Sequence, residues 1–133
     1  MGLLKLLLDT HCWLWLHWQP ERLPSPVKRR LRQGSSELYL SAVNVLEITI
    51  KYASGRLRLP QSPDAFVSDL LANAVRPLPL LLEHAAAVGT LPSLHQDPFD
   101  RLLVAQALAE DLTLVSADPQ ILRYAARTLD ARK

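Results

Sequence analysis

The amino-acid sequence predicts an α/β fold built on a mainly parallel sheet. Three observations carry that prediction. Short apolar runs alternate with helical stretches along the chain, the pattern of strands joined by helical crossovers. The first run, Leu3 to Leu8, is apolar except for Lys5 and stops at Asp9, as expected of a buried strand. A length of 133 residues, with 49% hydrophobic and 21% charged, suits one packed domain over residues 1–133 and is too short for two ordinary ones.

The elements follow in order. After the first strand, His11 to Trp18 reads as a helix closed by Pro20, and Pro26 opens a short basic helix. Leu38 to Leu40 forms a second strand. The β-branched stretch from there to Ile50 is too long for one strand. Ser41 is a good N-cap, so the strand breaks there and a helix runs from Ala42 to about Ser54, stopped by Gly55. Asp64 to Asn73 is a helix, Val75 to Leu78 a short strand, and Leu82 to Val88 another helix. Pro98 to Glu110 reads as an amphipathic helix with Leu102, Leu103, Ala105, Gln106 and Ala109 along one side. Thr113 to Ser116 is a strand, Pro119 opens a helix carrying Ile121, Leu122 and Tyr124, and Thr128-Leu129 adds an edge strand.

Composition narrows the functional classes. The apolar N-terminus is interrupted by Asp9 and His11, lacks a small-x-small cleavage site, and has no span of about 20 apolar residues, so neither a signal peptide nor a membrane helix is expected. The one cysteine, Cys12, reads as a reduced core thiol, which points to a cytoplasmic setting. The net charge is only +2, yet Arg22, Lys28, Arg29, Arg30, Arg32, Lys51, Arg56 and Arg58 cluster against Glu37 and Glu47. A basic flank suits a polyanion such as RNA, although the run Val27 to Arg32 taken alone reads better as the solvated face of a helix.

The acids carry the chemistry. Asp9 and Asp118 each lie just past a predicted parallel strand, at the carboxyl edge where open α/β sheets bind ligands. Asp100 lies in the first turn of the Pro98 helix and points to the same edge. Carboxylates gathered there repel one another, and oxygen-preferring divalent cations relieve that repulsion. Helix capping is a sufficient alternative account of Asp9, Asp97 and Asp118, two of which precede a proline. It does not account for Asp100 at the third helical position. Nor does it account for Glu47, which sits among Val45, Leu46, Ile48 and Ile50 and is costly to bury unpaired. Lys51, four residues on, offers Glu47 an intrahelical ion pair.

Other chemistries lack their motifs. His11, His17, His84 and His95 have no zinc-ligand spacing; His95, close to Asp97, is placed to line the site rim, but an exposed loop histidine is the preferred reading. Trp13, Trp15 and Trp18 are able to stack bases but read better as core or interface residues. Phosphate-binding glycine loops and the Gly-x-Ser-x-Gly elbow are absent from the sequence.

Four blocks together resemble a known family: Leu-Leu-Leu-Asp9-Thr10-His11, Ser41-Ala-Val-Asn44-Val-Leu-Glu47-Ile, Asp97-Pro-Phe-Asp100-Arg-Leu-Leu-Val-Ala-Gln-Ala107 and Leu-Val-Ser116-Ala-Asp118. They are similar to PIN domains, and within those to the VapC-type toxins of toxin–antitoxin modules. The resemblance spans essentially the whole chain, and the Asp-Pro-Phe-Asp-Arg block is its most specific part. It implies a three-layer α/β/α domain with a four- or five-stranded parallel sheet. It also implies Mg²⁺- or Mn²⁺-dependent endonucleolytic cleavage of RNA, a cognate antitoxin and a homodimer. On this chain the family's acidic quartet matches Asp9, Glu47, Asp100 and Asp118, and its supporting hydroxyls match Thr10, Ser41 and Ser116. Asp97 is left as a cap or outer contact, and Arg101 or Lys51 as a group that steadies phosphate. Two alternatives stay open: a PIN nuclease of RNA maturation or decay without an antitoxin, and a catalytically silent binding module.

Overall fold

A computed structural model describes residues 3–132. Five strands, β1 (Leu4–Leu8), β2 (Ser36–Ser41), β3 (Arg76–Leu78), β4 (Thr113–Ser116) and β5 (Thr128–Asp130), form one sheet in the order β3-β2-β1-β4-β5. Every pairing is parallel. The central strand β1 pairs Leu6 with Leu38 on one side and Leu7 with Leu114 on the other. From β1 the chain steps outward through β2 and β3, then returns across β1 to β4. The order in which strands are added therefore reverses between β1 and β4, and a crevice opens at the carboxyl ends of those two strands.

Among the described residues six α-helices connect and cover the strands: α1 (Thr10–Trp18), α2 (Ser25–Arg32), α3 (Ala42–Ala53), α4 (Pro63–Ala72), α5 (Leu82–Ala87) and α6 (Pro98–Glu110). Strand alternation divides the core in two. Leu6, Leu8, Leu40 and Val115 face a cluster with Cys12, Trp13, Val27, Leu31, Ile48, Phe66 and Leu70. Leu7 and Leu114 face the opposite cluster, with Val43, Leu103, Val104, Ala107, Ile121 and Tyr124. Both sheet faces are thus buried under helices, which makes the three layers expected and explains why the central strands are nearly all apolar. Cys12 is a buried free thiol, and burial followed by the nearby Asp9 pushes its pKa up.

Local signals set most boundaries. Ser41 caps α3 by accepting the Val43 amide, and Gly55, at φ +77°, lies just beyond the helix end, in the left-handed region that glycine adopts freely. Strand β3 contains Pro77, tolerated because β3 is an edge strand. Strand β2 begins at Ser36, two residues before the expected start, because its backbone register with β1 continues to Leu4.

Two expectations need correction. The helix expected after Pro119 is only a short 3-10 turn, Ile121–Arg123. Burying Ile121 and Tyr124 while delivering Thr128 to β5 leaves too few residues for a longer helix. Helix α6 does not present one apolar stripe either. Leu103 to Ala107 are buried in succession, whereas Ala109 is exposed, because the helix middle is enclosed by the sheet, α3 and α5. Among the described residues no helix is long and apolar enough to cross a membrane.

Candidate metal centre

Asp9 follows β1 directly and caps α1, its Oδ1 accepting the Cys12 amide at 2.9 Å. Its Oδ2 accepts the Ser116 hydroxyl at 2.6 Å, and that same hydroxyl oxygen accepts the Asp118 amide at 2.9 Å. One serine at the end of β4 thereby ties together the acids that follow the two central strands. Burial raises the Asp9 pKa, an effect opposed by the Ser116 and Cys12 bonds. Asp118 turns its Oδ1 back to the Gln120 amide at 2.8 Å.

Glu47 projects from α3 and is 3% exposed. Both its oxygens are engaged: Oε1 accepts the Thr10 hydroxyl at 2.5 Å, and Oε2 pairs with Lys51 Nζ at 2.5 Å. The intrahelical pair foreseen as the alternative for Glu47 is present, but it coexists with a buried bond to the residue beside Asp9. Asn44 reinforces this arrangement. Its amide donates to the Leu8 carbonyl and to Thr10 Oγ1, both at 3.2 Å, while its Oδ1 accepts the Ser41 amide. Ser41 in turn donates to Gln106 of α6 at 2.5 Å. Fully buried Asn44 and Gln106 therefore lock α3, α6 and the end of β1 into one frame, a role that the sequence did not single out.

Asp97 caps α6 through the Phe99 and Asp100 amides at 2.9 and 3.2 Å. That accounts for one of the two acids in this block. Asp100 then points toward Asp118. Burial, followed by the charges of Asp97, Glu47 and Asp9, pushes Asp100 up to about 7, against a smaller lowering by His95.

His95 corrects the sequence reading. Its side chain is 16% exposed, and its Nε2 lies 2.8 Å from Asp100 Oδ2 and 3.2 Å from Asp118 Oδ2. The three residues offer ligand atoms that lie within 4.8 Å of one another. The available signal was its place on the loop entering the capped helix, five residues before Asp100. Zinc-type spacing rules do not detect a cluster assembled from a loop, a helix and a strand end.

Arg101 also departs from expectation. Its guanidinium donates to the carbonyls of Pro92, His95 and Val88 and to the Tyr124 hydroxyl. The Tyr124 hydroxyl also accepts the His95 amide at 3.0 Å. Arg101 therefore supports the site by holding the loop that carries His95, and its donors are occupied rather than aimed at a phosphate. Arg22 shares the carboxylate cavity instead, while Lys51 is paired with Glu47. Arg22 lines this cavity of about 410 Å³ with Asp9, His11, Trp15, Ala117 and Asp118, and its guanidinium lies 4.9 Å from the Trp15 ring centroid. The basic run on α2 buries Val27 and Leu31 and exposes Arg29, Arg30 and Arg32, as a solvated helix face does.

The residues fit a divalent cation. Two carboxylates with oxygens facing a common point, backed by two more buried acids, form a hard, negatively charged donor set. The four predicted acids do not contribute alike: Asp100 and Asp118 meet at one point, whereas Asp9 and Glu47 stand behind them with each oxygen already bonded.

The family model of the PIN domain matches residues 6–127. No curated protein matches the chain. Among solved structures, the fold is similar to a chain of VapBC2 from Rickettsia felis bound to a promoter DNA fragment, with TM-score 0.71 and 15% identity over 96% of this chain and 99% of that one. It is similar to VapBC-1 from nontypeable Haemophilus influenzae, with TM-score 0.64 and 18% identity over 96% and 98%. It is also similar to DNA-bound VapBC from Salmonella typhimurium, with TM-score 0.63 and 17% identity over 96% and 98%. At these identities the likeness is one of fold. The match of the family model across most of the chain places it: the protein belongs to the PIN domain family.

Proposed function

We propose that this protein is a Mg²⁺- or Mn²⁺-dependent endoribonuclease acting as the toxin of a toxin–antitoxin module. The observation that carries the reading is the meeting of Asp100 and Asp118 at the sheet's switch point, with Asp9 and Glu47 near enough to raise the Asp100 pKa. Such repulsion is unfavourable in an empty site and is relieved by a cation.

Asp100 and Asp118 would hold the ion directly, and Asp9 and Glu47 would reinforce the negative potential from behind. A bound Mg²⁺ or Mn²⁺ supplies Lewis-acid polarisation of the scissile phosphate and a coordinated water of lowered pKa. The chain's own residues do the remaining work. Ser116 orients Asp9, Thr10 and Lys51 fix Glu47, and the Asp97 cap sets the first turn of α6 from which Asp100 projects. Arg22 in the cavity wall offers a cation to the RNA backbone, and the neighbouring Trp15 ring offers a surface for a base.

An antitoxin partner is supported by the solved relatives, which are VapBC complexes. A second groove lies between α1 and the 57–60 segment, lined by Leu14, Trp18, Leu57, Leu59 and Pro60. It shares His11, Trp15 and Arg22 with the carboxylate cavity, so a segment bound in the groove reaches the site. Leu46 and Ile50, one turn apart and exposed on α3, offer apolar surface for a homodimer.

The test is incubation of total RNA with the protein and Mg²⁺ or Mn²⁺, with cut sites mapped by sequencing. Discrete cuts that EDTA abolishes and added metal restores support the reading. Unaltered cleavage by both Asp9→Asn and Asp100→Asn variants sinks the metal-site assignment. Growth arrest relieved by co-expression of a small protein encoded beside the gene distinguishes a toxin from a PIN nuclease of RNA maturation or decay.

A further inference from the structure

We propose that His95 is a placeholder for the cation: in the metal-free protein its Nε2–H occupies the junction of Asp100 and Asp118 and competes with the metal for their oxygens. The inference rests on the metal-site reading above and assigns to that site a residue that opposes loading.

The geometry carries it in three steps. Nε2 contacts the same oxygens, Asp100 Oδ2 and Asp118 Oδ2, that face the common point of the site. The other ring nitrogen, Nδ1, faces the backbone N–H of Asp97 at 3.4 Å and is placed as its acceptor. The ring hydrogen then belongs on Nε2, which donates to the carboxylates rather than offering them a free lone pair. A histidine that ligates a metal commonly shows the reverse pattern, with its second nitrogen donating to a carboxylate or carbonyl. Here the neighbour of the second nitrogen is itself a donor.

The backbone of the loop is held independently of the ring. The His95 amide is held by the Tyr124 hydroxyl, and its carbonyl is contacted by Arg101. These anchors act on the backbone, so the ring can leave the carboxylates by side-chain rotation while the loop stays put. In the empty site the Nε2–H relieves part of the repulsion between the two acids. Removing it raises the free energy of the empty site and leaves its oxygens unencumbered.

The experiment is Mn²⁺ binding, followed by electron paramagnetic resonance and calorimetry, in wild type, His95→Ala and His95→Gln, with Asp100→Asn and Asp118→Asn as controls. The proposal expects roughly tenfold tighter Mn²⁺ binding by His95→Ala and a smaller gain for His95→Gln, which keeps an N–H donor. It also expects no nitrogen modulation from a histidine in the spin-echo spectrum of the wild-type Mn²⁺ complex. Thermal melting in EDTA checks that each variant folds, with His95→Ala melting lower than wild type. Weaker or unchanged binding in His95→Ala, or histidine nitrogen modulation in the wild type, overturns the placeholder. If the Asp100 and Asp118 variants still lose Mn²⁺ in that case, the metal site itself stands. Wild-type protein that binds no Mn²⁺ overturns both.

Discussion

The Ser116 hydroxyl donates to Asp9 Oδ2 at 2.6 Å across the join between the two central strands. Both residues are almost fully buried, at 0% and 4% exposure, so no water replaces this bond. Ser116→Ala is expected to cost about 1–3 kcal/mol of stability, the range for leaving a buried partner unsatisfied. It should also raise the Asp9 pKa further, since the hydroxyl is the leading influence that lowers it. Urea denaturation and a Mn²⁺ titration near neutral pH check both effects, with weaker binding expected.

Asp100 gives a pH dependence whose sign is opposite to the usual salt-bridged aspartate. Its pKa rises from an ordinary 3.8 to about 7 on folding, so the folded chain holds the proton more tightly than the unfolded one. Its stabilising contribution is complete below pH 4 and is lost as pH rises through 7. Asp100→Asn is therefore expected to stabilise the metal-free protein at pH 8, on the order of 2–4 kcal/mol, while abolishing cleavage. The difference between the two proteins should vanish near pH 4. Denaturation in EDTA across that range is the measurement, and added Mn²⁺ should restore the wild type alone at pH 8.

The Glu47–Lys51 pair predicts an asymmetric response. Lys51→Met removes one partner of a buried carboxylate and is expected to destabilise by about 1–3 kcal/mol, reduced from the fully buried case because Lys51 is 27% exposed. Glu47→Gln combined with Lys51→Met should recover most of that loss, which a double-mutant cycle reads directly. Glu47→Gln alone is expected to weaken Mn²⁺ binding, since it removes charge behind Asp100. A purely structural Glu47 leaves that affinity as it was.

Arg101 and Tyr124 hold the loop that carries His95. Tyr124→Phe removes the acceptor of the His95 amide and is expected to speed exchange of that amide by about tenfold or more. Arg101→Lys loses the planar fork that reaches three carbonyls and the Tyr124 hydroxyl, and should loosen residues 88–95 more widely. Hydrogen exchange resolved by residue separates the two patterns.

Much of the frame was legible in the residues. The apolar run before Asp9, the Ser41 cap, the Asp-Pro start at Asp97 and the Gly55 stop are local signals, and each sits where it was read. Where the reading failed, a distant partner decided the outcome. The segment after Pro119 carries helix-start chemistry, yet burial of Ile121 and Tyr124 and the reach to β5 shorten it to one turn. Arg101 looks like a phosphate ligand in sequence because nothing local shows the carbonyls that surround it.

By itself the sequence determined the α/β class, the strand-end positions of Asp9 and Asp118, the helix start at Pro98 and the anomaly of a glutamate within an apolar helix. Those follow from capping, periodicity and burial cost, which act over a few residues. The tertiary structure alone decided the rest: the return of the chain across β1 that brings Asp118 beside Asp9, the bonds that occupy both oxygens of Asp9 and Glu47, and the seating of His95 between Asp100 and Asp118. Each joins groups from separate elements, and their juxtaposition is set by sheet order and helix packing, which no spacing along the chain encodes.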